Sequence, residues 1–591
     1  MNCPEIRSAL GICLLIVFYS SISSGVVENY ESVHQSYQDG SKLTDLNLSD
    51  QNLSAAHLNR SDTTRCILNG ADLSGAYLIR AEIINASLIK ANLTGANMEE
   101  TCLHESDLSQ ADLSGANLVL SNLFGTNLNG ADLTGANLQQ AIISHAKLVG
   151  AKLDNANLMA SDLNNSDLTD ATLVSAYLRR TMLLNALLVR ANITGASLVG
   201  ANLIDADLSE ADLRGSDLSE ARLSGAKFIG SNMSKSNAIF ANLTRTNLSG
   251  ADLSSSILQG SSFSNSDLSH ADLSDADLSD AELDEATLTD AKLNRVNASG
   301  ACMEKANLTR ADLSNAYLVD AKMHEVKLVE AKLIGVDATG ACMENSDLRG
   351  ADLTGMRLLE TNLVGSNMKG LNMRRANAMS AKMSWADLSG SDLSESQLSR
   401  VEFYGTNLSD ADLSKSDLTR AYMMRANLTD ADLRRADLSY SDLSNANLKG
   451  SNLNSANLYG TALNGADLTG ADMVSANLQG LNVIGTNFYQ AKLEGATLQG
   501  PMLIQDTNMS RVNLRNAELE LILLKNVNLA GADLRNANLT MIMMIGVDLS
   551  DANLERIKYD KFSLQNLLNS KLNGTRMSED LKNDLESLRA M

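Results

Sequence analysis

An apolar residue returns at every fifth position from Leu43 to Leu503 without an insertion, and most of these residues are Leu. Two places before each one stands Ala, Ser, Thr or another small residue, and one place before it usually stands Asp or Asn, as in Ala71-Asp72-Leu73-Ser74-Gly75. A period of five fits neither the 3.6-residue turn of an α-helix nor the two-residue alternation of a simple strand. Each unit must therefore make one short extended side and one corner. Side chains alternate along an extended segment, so the Leu and the small residue two before it face inward together, and the Asp or Asn between them faces out.

The irregular core positions give the number of sides. Ala replaces Leu at Ala238, Ala298, Ala338 and Ala378, whose separations of 60, 40 and 40 are all multiples of 20. Phe263, Met303, Met323, Met343, Met383, Phe403 and Met423 obey the same count. Four units thus complete one coil. The pairs Ala298 with Met303, Ala338 with Met343 and Ala378 with Met383 set a small residue beside a large one on the next side, as a constant interior volume requires. Coils stacked at strand spacing, about 4.8 Å, would give a rod on the order of 125 Å from roughly 26 coils. A lone coil buries too little to offset its ordering entropy, so stacking must stabilise it. The presence of only two prolines, Pro4 and Pro501, agrees with backbone N–H groups committed to neighbouring coils.

Units such as Ala111-Asp112-Leu113-Ser114-Gly115-Ala116-Asn117-Leu118 resemble the pentapeptide repeat family, over about nine tenths of the chain. The resemblance implies an all-β fold, a right-handed quadrilateral parallel β-helix with four pentapeptides per coil. Some members of that family resemble duplex DNA in shape and charge and occupy DNA gyrase.

The two ends depart from the period. Residues 1–25 combine Arg7, an apolar run from about Ala9 to Tyr19 and a small polar stretch ending at Gly25, the layout of a signal peptide cleaved near Ser23 or Gly25. The run is shorter than the roughly 20 residues that cross a bilayer, so no membrane span is expected after cleavage and the chain is expected to be exported: secreted, periplasmic or on the cell surface. Residues 26–42 read as a leader or tether, and residues 43–564 as the β-helix. After Leu503 the register slips by one, to Met509, Leu514 and onward to about Leu564, which places an extra residue near 501–508 as a corner bulge or a docking loop. Leu523 and Met543 then fall in the outward column one coil apart, and Met502 joins them once the extra residue is counted. Such a patch either docks a partner protein or is covered by the chain's own tail. Residues 565–591 read as a helical cap: Ser578 can begin a helix, Glu579 and Asp580 lie in its first turn, and Leu581, Leu585, Leu588 and Met591 share one face. A solenoid end left uncapped exposes a strand edge and invites end-to-end self-association.

The formal charge of −23 argues against direct binding to nucleic acid or anionic membranes. His34, His57, His104, His145, His270 and His324 are dispersed and show no metal-ligand spacing along the chain, and no nucleophile motif surrounds them. Cys102, Cys302 and Cys342 share an outward column, with Cys302 and Cys342 two coils apart, beyond disulfide reach. The acidic stretch from Asp267 to Asp290 spreads around the corners and lacks the glycine-rich pattern of calcium β-rolls. Triplets such as Asn92-Leu93-Thr94 match a glycosylation acceptor, but the repeat generates them automatically. No catalytic residue, metal ligand or cofactor is expected. These features point to a non-enzymatic, exported, acidic scaffold for protein–protein contacts; a DNA-mimicking inhibitor of a protein such as gyrase is the alternative for a chain retained in the cytoplasm.

Overall fold

A computed structural model describes residues 39–590, so the signal-peptide and leader expectations for residues 1–38 lie outside the described residues, as does Met591. The chain divides into two compact units, up to Asp267 and from Leu268 onward. Each is a parallel β-helix whose coil takes 20 residues.

In the first unit, the bridge between Asp72 and Asn92 shows how one coil seats on the next. Asn92 donates its N–H to the Ala71 carbonyl (2.9 Å), and Leu73 donates to the Asn92 carbonyl (2.7 Å). Leu73 and Ala71 are buried, and Asp72 between them is half-buried on the outside. The corner follows at once. Ala76 donates to the Leu73 carbonyl (3.0 Å), and Gly75 takes φ +60°, the left-handed second central residue of a type II turn. Asp72 has a second task, since its Oδ1 accepts the N–H of Ser74 (3.0 Å) and closes the turn from outside. Asn92 then donates its amide to the same Oδ1 (3.0 Å), which links adjacent coils through their side chains.

The left-handed corner recurs with residues that pay for it sterically, among them Arg80 (φ 57°), Leu120 (φ 59°) and, in the second unit, Trp385 (φ 62°). At many positions where the inward small residue is Ser or Thr its hydroxyl donates to backbone: Ser121 donates to the Leu118 carbonyl (2.6 Å), and Thr101 reaches the Leu78 carbonyl of the coil before (2.8 Å), whereas the buried Ser236 hydroxyl has no protein partner among the described residues.

In the second unit, the bridges from Asn297 through Tyr317, Asp337 and Arg357 to Asn377 put Ala298, Ala338 and Ala378 on one wall, all fully buried. Met303, Met323, Met343, Met383, Phe403 and Met423 stack on another wall in the same manner. The alternation of small and large interior columns is as the sequence predicts.

Two corrections concern the end of this unit. Asn477 pairs with Thr497 twenty residues on, but Asn482 pairs with Leu503, so the extra residue lies between Thr497 and Leu503 rather than after it. Gly500, at φ 106°, and Pro501 lengthen that corner. The buried residues become Met502 and Ile504, and Leu503 turns outward. Four strands then stack in parallel on this wall: β1 (Asn482–Ile484), β2 (Met502–Gln505), β3 (Ile522–Lys525) and β4 (Met543–Ile545). The second correction is at Leu564, which is buried on a helix, α1 (Lys561–Leu568), rather than on a β-helix side. Asp560 caps α1 by accepting the Ser563 N–H (2.7 Å), which diverts the chain before the five-residue period reaches its next side.

The last coil is built from mixed parts. α1 lies over β4, where the strand edge would otherwise be bare: Met541 donates its N–H to Asp560 Oδ2 (3.1 Å), Ile542 to Ser563 Oγ (3.1 Å) and Met544 to Asn566 Oδ1 (3.3 Å). The chain then resumes coil geometry, with Lys571 bonded over Val547 (3.0 Å) and β5 (Asn553–Leu554) paired with β6 (Arg576–Met577). α2 (Glu579–Arg589) closes the coil with Leu581 and Leu585 buried and Leu588 half-exposed. Ser578 occupies its N-cap position in extended conformation but makes no side-chain capping bond. Tyr559 donates its hydroxyl to Asp584 of α2 (2.8 Å), and burial together with that carboxylate pushes its pKa up to about 12.

Candidate docking surface and polar cluster

The three patch residues named from sequence do not share one face. Met502 is only 4% exposed and pairs with Ile522 in an inward column. Leu503 takes its place: Leu503, Leu523 and Met543 follow one another in the outward column of β2, β3 and β4. The apolar run Met502-Leu503-Ile504 fits either face, which is why the pattern alone misassigned it. Leu523 is half-buried and Met543 is 42% exposed.

Residues that no core pattern picks out enlarge this face. Leu521 and Met541 stand at left-handed corners, both exposed, and Phe562 projects from α1 beside them. With Pro501, Ile522, Leu523 and Met543 they line a shallow apolar depression of about 490 Å³. Among the described residues, α1 covers the strand edge above β4 and none covers the outward surface of the sheet. Contiguous exposed apolar faces of this kind mark candidate interaction surfaces.

Elsewhere the left-handed corners carry charge ladders. Arg65 lies on Asp45 (2.6 Å), Arg190 on Asp170 (2.8 Å), and Arg295 on Asp275 (2.6 Å), each pair one coil apart. The guanidinium hydrogen bonds hold these carboxyls below their usual range. Such exposed pairs contribute little individually.

One polar cluster departs from this pattern. Coil stacking in the second unit sets Cys302, Lys322, Cys342 and Asn362 in one outward column. Two residues further along each side come Glu304, His324 and Glu344. His324 Nε2 lies 2.6 Å from Glu344 Oε2, and its Nδ1 lies 3.8 Å from Glu304 Oε1. Ligand atoms of His324, Cys342 and Glu344 all fall within 4.8 Å of one another. The dispersion of histidines along the chain concealed this; spacings of 18 and 20, one coil, are the signal that would have found it.

Pentapeptide repeats match the chain in seventeen stretches, from residues 66–104 to residues 522–558. The chain belongs to the pentapeptide repeat family. No curated protein matches it in sequence. Among solved structures it is similar to HetL, a pentapeptide repeat protein involved in heterocyst differentiation regulation from the cyanobacterium Nostoc, at 30% identity over 39% of this chain and 89% of that one, with a TM-score of 0.22. It is also similar to a pentapeptide repeat protein of the Arabidopsis thaliana thylakoid lumen, at 27% identity over 19% and 68% of the respective chains and a TM-score of 0.11. Full-length QnrB1, a plasmid-mediated fluoroquinolone resistance protein, shares 14% identity over 39% and 97% with a TM-score of 0.15.

Proposed function

We propose that this protein is a non-enzymatic, exported scaffold that binds another protein through the apolar face of β2, β3 and β4. The observation that carries the reading is the uninterrupted column Leu503, Leu523 and Met543, flanked by Leu521, Met541 and Phe562, where outward apolar residues such as Met182 and Leu187 have polar neighbours one coil above and below. The occupant is an apolar surface of a different protein, since α1 is engaged on the strand edge and α2 turns Leu581 and Leu585 into the last coil instead of onto this face. Export draws on the sequence of residues 1–25.

A photo-crosslinking side chain placed at position 523 tests the docking surface in the producing cell. A discrete heterologous adduct, lost on Met543→Asp, supports the reading. An adduct only with a second copy of this chain, or none, overturns it. Export is tested separately by fractionation and sequencing of the mature N-terminus. Cleavage near Ser23 or Gly25 is expected, and an intact Met1 in the cytoplasm overturns export. That second outcome would favour the DNA-mimicking alternative, which the charge of −23 favours chemically and a gyrase supercoiling assay would then decide.

A further inference from the structure

We propose that His324, Cys342 and Glu344 form a binding site for a divalent transition metal of the zinc class on the outer wall of the second unit. The donor set is the first argument. Imidazole nitrogen, thiolate sulfur and carboxylate oxygen are the three protein ligands that zinc and cobalt accept together, whereas calcium and magnesium take oxygen alone.

The geometry is the second. Two stacked coils bring the three donors within 4.8 Å, and bonds of about 2.0–2.3 Å need them only slightly nearer to a common centre. Glu344 Oε2 and His324 Nε2, 2.6 Å apart, need to part by less than about 1 Å to admit an ion between them, which a side-chain rotation provides.

The third argument is polar satisfaction. Glu344 Oε2 and His324 Nδ1 are both shielded from solvent without a protein hydrogen-bond partner, and the close approach of Oε2 to Nε2 lacks hydrogen-bond alignment. Shielded polar atoms in that state cost free energy that ligation would recover. The surroundings already resemble an outer shell. Asn362 Nδ2 donates to Glu344 Oε1 and so orients the carboxylate, and Glu304 faces Nδ1 of His324 from the opposite side, where a ligating imidazole seeks a carboxylate for its other nitrogen. Lys322 lies in the column between Cys302 and Cys342 and opposes a cation, while the carboxylates of Glu304 and Glu344 on the coils to either side of His324 offset it.

Three protein ligands leave a fourth coordination position for solvent or for a side chain of another molecule. The site does not depend on the apolar face and stands or falls separately from it.

The test is cobalt titration of the full chain, purified with chelator and kept reduced, followed by zinc competition and elemental analysis. The expected result is one equivalent of cobalt with a near-ultraviolet thiolate-to-cobalt absorption, displaced by zinc. Cys342→Ser removes that absorption, and His324→Ala weakens binding at least tenfold. Cys302→Ser, which alters a thiol in the same column outside the cluster, leaves both stoichiometry and absorption unchanged. Circular dichroism melts confirm that each variant is folded, as expected for outward positions. Absence of the absorption, its survival in Cys342→Ser, or equal binding by His324→Ala overturns the proposal.

Discussion

Outward apolar residues occur in both units, and their vertical neighbours differ. In the first unit Met182 stands between Asp162 and Asn202, Leu187 between Asp167 and Asp207, and Tyr177 between Asn157 and Ser197, so each is isolated by polar side chains one coil above and below. On the wall of β1 to β4 in the second unit, Leu503, Leu523 and Met543 follow without interruption. The number of exposed apolar residues therefore says little; the neighbour twenty residues away decides whether one is surface variation or part of a patch. The same rule assembles His324 with Glu304 and Glu344, which no linear motif would join.

The largest effect is expected at the capped end. Deleting 576–591 removes β6 and α2 and strips the cover from Leu581's partners in the last coil, so light scattering should show aggregation; a soluble, monodisperse product would mean the cap is dispensable. Next, a core column and the outward column can be set against each other. Leu318→Ala, at a fully buried mid-unit position, should cost about 2–5 kcal/mol in thermal or denaturant unfolding, whereas Met543→Asp should stay within about 0.5 kcal/mol. Equal costs would erase the distinction between the two kinds of column. A smaller gain is expected at a corner. Leu120 adopts φ 59°, so Leu120→Gly relieves left-handed strain of roughly 1–2 kcal/mol against a glycine entropy cost of roughly 0.5–1 kcal/mol. The net is a stabilisation of about 0–1.5 kcal/mol, and a lower melting temperature would contradict it.

The smallest effect concerns pH. Asp45, Asp170 and Asp275 are held below the usual carboxylate range by hydrogen bonds from Arg65, Arg190 and Arg295. Depressed folded-state values mean that their contribution is complete above the unfolded carboxylate range and is lost as pH falls below about 4. A modest drop in melting temperature over that acid window is expected, abolished for one rung by Arg190→Gln. A drop centred near neutrality would assign the effect to other groups.

Much of the fold was legible because one constraint repeats: interior volume fixed the 20-residue coil through Ala298, Ala338, Ala378 and their methionine neighbours. What stayed hidden lies where side-chain type underdetermines backbone. The sequence places Asp72 outward but does not disclose that its carboxylate closes the next turn, nor that Arg80 or Trp385 sits at positive φ, since any residue stands there when the neighbouring coils enforce it. The slip was misplaced by a few residues because Met502, Leu503 and Ile504 are interchangeable in polarity. The start of α1 falls a few residues before the expected helical cap at 565 because Leu564 satisfies both the five-residue period and a helix face, and the local cap at Asp560 decides between them. The polar cluster escapes any search for short linear motifs, because its members meet only across coils, at spacings of 18 and 20.

That cross-coil adjacency can be tested directly by disulfide trapping. Asn407 and Asn427 are bridged on adjacent coils, with the amide of Asn427 donating to Asn407 (3.0 Å), so cysteines in their place lie within bonding reach. Under mild oxidation, Asn407→Cys with Asn427→Cys should form the bond nearly completely, as read by peptide mapping. Asn407→Cys with Asp432→Cys, twenty-five apart and on a different wall, should not. Failure of the first pair, or equal trapping of both, would contradict a 20-residue coil.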